Sequence, residues 1–159
     1  MKILGHRHTG IIVNDFEGML NFYVGMGLVL RSRDIEHGQF IDELIGVKNI
    51  TLETAKLVLE DKSNRIGYSF QLELMKIKNT NSRYKKTDRI AFNFLTRSLG
   101  VLDLAFTVDD IIAVRNFIIS NDGDLIGEPL KAVSGFPALH CYARDPEGNV
   151  LHLAQNLNA

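Results

Sequence analysis

Four residue pairs recur in this chain at one constant offset of 95 positions: Val13 with Val108, Asp15 with Asp110, Asn21 with Asn116, and Phe22 with Phe117. One offset serving four pairs marks a duplication, which constrains architecture more than any local propensity because both copies must fold into the same unit. The first copy opens with the run His8-Thr-Gly-Ile-Ile-Val13 and the second with Asp103-Leu-Ala-Phe-Thr-Val108, each reading as a strand. Asp15 and Asp110 then stand where a helix N-terminus needs a side-chain acceptor. Phe16, Met19, Leu20, Tyr23 and Met26 form the inward stripe of the first predicted helix, and Ile111, Val114, Phe117 and Ile118 that of the second. Gly25 and Gly27 end the first helix, and Asn121-Asp-Gly123 ends the second.

The copies also close alike, on Leu72-Glu73-Leu74 and Leu151-His152-Leu153. His8 and Glu73 are 65 positions apart and Asp103 and His152 are 49 apart, so the first copy carries 16 extra residues. These are placed around Gln39 to Val47, where Phe40, Ile41, Leu44 and Ile45 suit a short added helix. Two further strands fit in each copy, Thr51 to Glu60 and Ala138 to Arg144 among them, and Asp145-Pro-Glu-Gly-Asn149 reads as a hairpin turn. The expected fold class is α+β: one domain over 1–159, made of two tandem βαβββ modules, 5–77 and 101–157, joined by a basic connector over 78–100.

Composition narrows the function classes. A hydrophobic content of 45% is enough to bury a core without staples. The single cysteine, Cys141, forms no intramolecular disulfide and belongs to no CxxC pair, which points to a reducing, cytoplasmic setting. Met1 to Gly5 lacks the apolar run of a signal peptide, and no stretch reaches the roughly 18 apolar residues of a membrane span. Eighteen Lys and Arg against 19 Asp and Glu leave a net charge of -1, so neither nucleic acid nor membrane is an expected partner. Charge is uneven only from Lys76 to Arg97, where Lys78, Arg83, Lys85, Lys86 and Arg89 face a single acid, Asp88.

Residues two apart share a strand face. His8 therefore sits with Gly10 and Ile12, Glu73 with Gln71 and Met75, Asp103 with Ala105 and Thr107, and His152 with Val150 and Ala154. The opposite faces carry Leu72 and Leu74, Leu102, Leu104 and Phe106, or Leu151 and Leu153, so each copy has one packed face and one roomier face bearing ionisable residues. Burying such groups is costly unless they pair or bind a cation, and two imidazoles with two carboxylates are a plausible donor set for a first-row divalent metal. Each residue also has a structural reading: His8 as a core or edge histidine, Glu73 with Gln71 as a wet strand face, Asp103 as a turn cap after Gly100, and His152 as a solvent-facing residue. His6 shares the face of His8 but has no repeat partner, and reads as a surface residue.

These residues carry a resemblance. The run His8 to Asp15 leading to Asn21-Phe-Tyr23 and Gly25-Met-Gly27, the run Leu102 to Asp110, and Asp145-Pro-Glu-Gly-Asn-Val-Leu-His-Leu153 together resemble the vicinal oxygen chelate superfamily over nearly the whole chain. The superfamily includes glyoxalase I, methylmalonyl-CoA epimerase, extradiol dioxygenases and the bleomycin and fosfomycin resistance proteins. The resemblance implies curved mixed sheets around a cleft with helices on the outer face, and metal ligands at His8, Glu73, Asp103 and His152. The third position is usually His in that family and the fourth usually Glu, so Asp103 and His152 exchange the two types while keeping two of each.

The implied chemistry is a divalent ion (Zn, Ni, Mn, Co or Fe) chelating adjacent substrate oxygens in a glyoxalase-type lyase, isomerase or epimerase, with Glu73 as the first candidate base and Asp103 as the second. The implied partners are a small-molecule substrate, such as an anionic thiol or thioester conjugate drawn by the basic connector, and a second copy in a homodimer. Two other readings stay open: a ring-cleaving dioxygenase using His8, His152 and one carboxylate on iron, and a metal-free drug- or metabolite-binding protein in which Gln71, Glu73 and Asp103 make hydrogen bonds.

Overall fold

Capping aspartates start both long helices. In a computed structural model that describes residues 7–59, 71–79, 100, 103–132 and 137–157, Asp15 Oδ1 accepts a hydrogen bond from the Gly18 amide at 3.0 Å, and Asp110 Oδ1 accepts from the amides of Ile112 and Ala113, both at 2.9 Å. Each cap satisfies amides that the first helical turn cannot. The chain divides into two compact units, Met1–Tyr84 and Lys85–Ala159. Most of the connector 78–100, with Arg83, Lys85, Lys86, Arg89 and Arg97, lies outside the described residues, as do His6 and Leu102.

The first unit runs β1 (Thr9–Ile12), α1 (Phe16–Gly25), β2 (Leu28–His37), α2 (Gln39–Ile45), β3 (Thr51–Leu59) and β4 (Gln71–Ile77). Its sheet order is β1-β4-β3-β2, with β1 parallel to β4 and the other pairs antiparallel. The second unit runs β5 (Leu104–Thr107), α3 (Ile111–Ser120), β6 (Asp124–Lys131), β7 (Ala138–Arg144) and β8 (Val150–Asn156), in the matching order β5-β8-β7-β6. The expected α+β class, with one βαβββ module per copy and a mixed sheet in each, is therefore what forms. Among the described residues no helix is long and apolar enough to cross a membrane.

One face of each sheet is packed. Leu57, Leu72, Leu74 and Ala55 are fully buried beside Phe16, Met19 and Tyr23 of α1, and Leu151, Leu153 and Ala143 beside Ile111 and Ile118 of α3. Burial of each leucine, isoleucine, methionine or phenylalanine among these contributes about 1.5–3 kcal/mol. Two stripe assignments change. Met26 is the C-cap of α1, half-buried, because the helix ends at Gly25 and Gly27 takes a φ of +102°. In α3 the half-buried Val114 and Phe117 flank a buried Arg115, whose guanidinium donates to the Gly127 carbonyl at 2.7 Å and to Glu128 Oε2 at 2.8 Å.

The packed face of the first sheet also holds a charge cluster without a sequence signature. Glu53 is only 7% exposed; it accepts from Lys78 Nζ at 2.8 Å and Arg33 Nε at 3.1 Å. Arg33 also pairs with Glu17 of α1 and stands 5.0 Å above the Phe16 ring. The Lys78 ammonium first, and then the Arg33 guanidinium, hold the Glu53 carboxyl below its ordinary value of 4.5.

The 16 extra residues of the first copy divide into two insertions. Lys56 is the register partner of Glu73, and Tyr142 that of His152. Lys56 and Tyr142 are thus equivalent at an offset of 86, between the 95 of the opening strands and the 79 of Glu73 and His152. Nine residues therefore enter before β3 and seven between β3 and β4, where placing all of them around Gln39 to Val47 overstated the first insertion. The first nine include α2, whose Ile41 packs with Ile50, Leu52 and Ile77 and covers one end of the face that bears Glu73. Asp42 fixes its exit by accepting from the amides of Asn49 and Ile50 at 2.7 and 3.0 Å.

Candidate functional site

In the first unit the parallel pairing of β1 with β4 sets Gly10 beside Glu73, and the antiparallel pairing of β3 with β4 sets Lys56 on its other side. His8 stands one residue ahead of β1, so the expected strand starts later than its pattern suggests. Its Nε2 lies 3.0 Å from Glu73 Oε2, and Lys56 Nζ lies 3.6 Å from Glu73 Oε1. The carboxylate is thus gripped from both sides, with its side chain 9% exposed while those of His8 and Lys56 are about one-third exposed, at 35% and 32%. Without such partners a carboxylate this deep would carry a desolvation penalty of several kcal/mol, on the order of the cost of a buried ion. The room expected beside Glu73 is filled in part, since a Cβ on Gly10 would fall 2.7 Å from the Met75 methyl.

In the second unit the same positions are built from rings. Ala105 pairs with His152, and Tyr142 lies opposite it across β7 and β8. Asp103 is half-buried and, like His8, precedes its strand by one residue. The Tyr142 ring stacks on His152 with centroids 4.8 Å apart at 27°. His140, two residues earlier on the same face, stacks on His152 at 5.2 Å and 28°, and its Nδ1 lies 3.1 Å from His152 Nε2. Burial, and then the negative charge of Asp103, raise the Tyr142 hydroxyl above its ordinary value of 10, so the phenol stays neutral and able to donate.

The structure therefore brings His8 and Glu73 into direct contact and stacks His152 on Tyr142, whose hydroxyl feels the negative charge of Asp103. Three residues of these clusters went unread in the sequence: Lys56, His140 and Tyr142. The signal for His140 and Tyr142 was the alternation of His140, Tyr142 and Arg144 with Leu139, Cys141 and Ala143, visible once Ala138 to Arg144 is a strand; Lys56 on β3 had none. As to a metal, imidazole nitrogen and carboxylate oxygen are the ligand types of a first-row divalent ion, and each unit presents both on one sheet face. Among the described residues the donors gather in twos, and no three His, Cys, Asp or Glu side chains form one cluster.

No protein-family model matches the sequence, and no curated protein matches it. Solved structures do. A glyoxalase family protein from Bacillus cereus matches with a TM-score of 0.81 at 23% identity, over 99% of this chain and 97% of its own. A glyoxylase/bleomycin resistance/dioxygenase domain from Frankia sp. matches with a TM-score of 0.58 at 14% identity, over 98% and 99% of the two chains. A mutant glyoxalase I from Zea mays matches with a TM-score of 0.59 at 18% identity; 94% of this chain covers 46% of that one. With two βαβββ units in matching strand order, the chain has the fold of the glyoxalase, bleomycin resistance and dioxygenase proteins, in agreement with the vicinal oxygen chelate signatures of its sequence.

Proposed function

We propose that this protein is a divalent-metal-dependent lyase, isomerase or epimerase of the glyoxalase I type, acting on a small carbonyl substrate. The observation that carries the reading is the contact of His8 Nε2 with Glu73 Oε2 at 3.0 Å, an imidazole and a carboxylate joined on the sheet face opposite the core. The proposed ligands are His8, Glu73, Asp103 and His152, a mixed nitrogen and oxygen set suited to zinc, nickel, manganese, cobalt or iron. When bound, such an ion supplies Lewis-acid polarisation of adjacent substrate oxygens. At these identities the likeness to solved structures carries the fold, and the activity rests on the residues.

Glu73 is the proposed base, removing a proton from the carbon next to the substrate carbonyl, and Asp103 is the second candidate. His8 and Lys56 steady the carboxylate at either oxygen. The Lys56 ammonium offsets negative charge developing on the substrate oxygen and favours an anionic thiol or thioester conjugate. The Tyr142 hydroxyl, raised above its ordinary value, stays protonated and is a candidate donor within the second unit. A homodimer working in the cytoplasm belongs to the same proposal.

The test is solvent exchange. Small carbonyl compounds, thiol conjugates among them, are incubated with metal-loaded protein in deuterium oxide and followed by NMR. Deuterium should enter next to the carbonyl, and Glu73→Gln should slow entry by about 10²–10⁴-fold. No exchange across the panel contradicts the reading, and oxygen consumption in its place would indicate ring-cleaving dioxygenase chemistry. Lys56 favours one second reading, a metal-free drug- or metabolite-binding protein, because a fixed cation already accompanies Glu73. Ligand binding unaffected by chelator would support it.

A further inference from the structure

His140 lies on β7, a strand that supplies none of the four proposed ligands, yet its Nδ1 faces His152 Nε2 at 3.1 Å. Its register partner is Ala154, whose methyl group leaves the ring free to lean along the sheet toward His152. The equivalent place in the first unit is Thr54, register partner of Met75, whose hydroxyl is turned to Glu36 at 3.3 Å. The second unit therefore has a nitrogen donor where the first has none. We propose that His140 is itself a metal ligand, joining His152 as a two-imidazole chelating pair in the second unit.

Two facing imidazole nitrogens either share one proton or present both lone pairs to a cation. Metal–nitrogen bonds of about 2.0–2.1 Å at angles between square and tetrahedral set such nitrogens about 2.9–3.4 Å apart. The observed 3.1 Å falls inside that range, with the rings only 28° from parallel. Tyr142, stacked on the other ring at 4.8 Å, fixes the orientation of His152.

The inference rests on the metal-dependent reading, and cobalt binding separates the two. Wild-type protein, His140→Ala, His140→Gln and His8→Ala are titrated with cobalt(II), followed by calorimetry and visible absorption, with circular dichroism to verify folding. Loss of a residue that only orients a ligand costs about 10–100-fold in affinity, so loss of a ligand at His140 should cost about 100-fold or more. Both His140 variants should also change the visible bands. Glutamine can still hydrogen-bond to His152, so a merely structural partnership would be rescued in His140→Gln and a ligand would not. Wild-type affinity and bands in His140→Gln, with binding lost in His8→Ala, overturn the inference and leave the metal-dependent reading standing. No cobalt binding by the wild type overturns both.

Discussion

Lys56 and Tyr142 occupy the same sheet position in their two units, each directly opposite the closing-strand residue, Glu73 in one case and His152 in the other. Duplication preserved the backbone place and changed its chemistry: an ammonium sits against a carboxylate, and a neutral phenol against an imidazole. Lys56 should oppose any cation bound by Glu73. Lys56→Met is expected to tighten zinc binding about tenfold, or ~1.4 kcal/mol, since removing a partly exposed charge a few ångströms away relieves a screened repulsion of that order. Calorimetric titration of both proteins checks it, and unchanged or weaker affinity would contradict it.

The Glu53 cluster gives an acid-dependent stability. Its carboxyl is held below the ordinary 4.5 by Lys78 and Arg33, so the folded state binds its proton less readily than the unfolded chain does. The contribution is complete above about pH 4.5 and is lost as pH falls through the lower folded value. Thermal melts from pH 6 to pH 3 should show a smaller decline for Glu53→Gln than for the wild type, from a lower starting point. Parallel declines would count against the assignment.

Asp110 caps α3 through two amides where Asp15 caps α1 through one. Asp110→Ala is expected to cost about 0.5–2 kcal/mol of stability in urea denaturation, and Asp110→Asn considerably less because the amide oxygen can still accept.

The hairpin between β7 and β8 turns on Asp145, which is 2% exposed and accepts from the amides of Glu147 and Asn149 at 3.0 and 2.9 Å and from the Asn149 side chain at 2.7 Å. Asp145→Ala leaves three part-buried donors unmatched, each costing up to about 1–3 kcal/mol where water cannot replace the carboxylate. A loss of about 2–4 kcal/mol in denaturant melts is expected, with weaker metal binding because β8 carries His152.

The elements legible in the sequence were those set by local chemistry. The offset of 95 held because Asp15 and Asp110 both cap helices, and Ala138 to Arg144 alternates as a strand must. Strand register was not legible, because pairing Lys56 with Glu73 or Tyr142 with His152 is decided by the ladder between strands; without it the two insertions merged into one, Lys56 went unread, and the alternation that carries His140 and Tyr142 did not show which residues they face. Glu53 was hidden for a similar reason, since its partners stand 20 and 25 positions away.

The central claim is that Glu73 and His8 bind a divalent ion. Metal analysis of protein purified without chelator or affinity tag, then offered zinc, nickel, manganese, cobalt or ferrous ions, tests it most directly. The account predicts about one ion per chain in the wild type, with affinity reduced about 100-fold or more in Glu73→Ala and His8→Ala, above the usual cost of disturbing a residue that only orients a ligand. A wild-type protein that takes up none of these ions, or variants that bind as the wild type does, would contradict it.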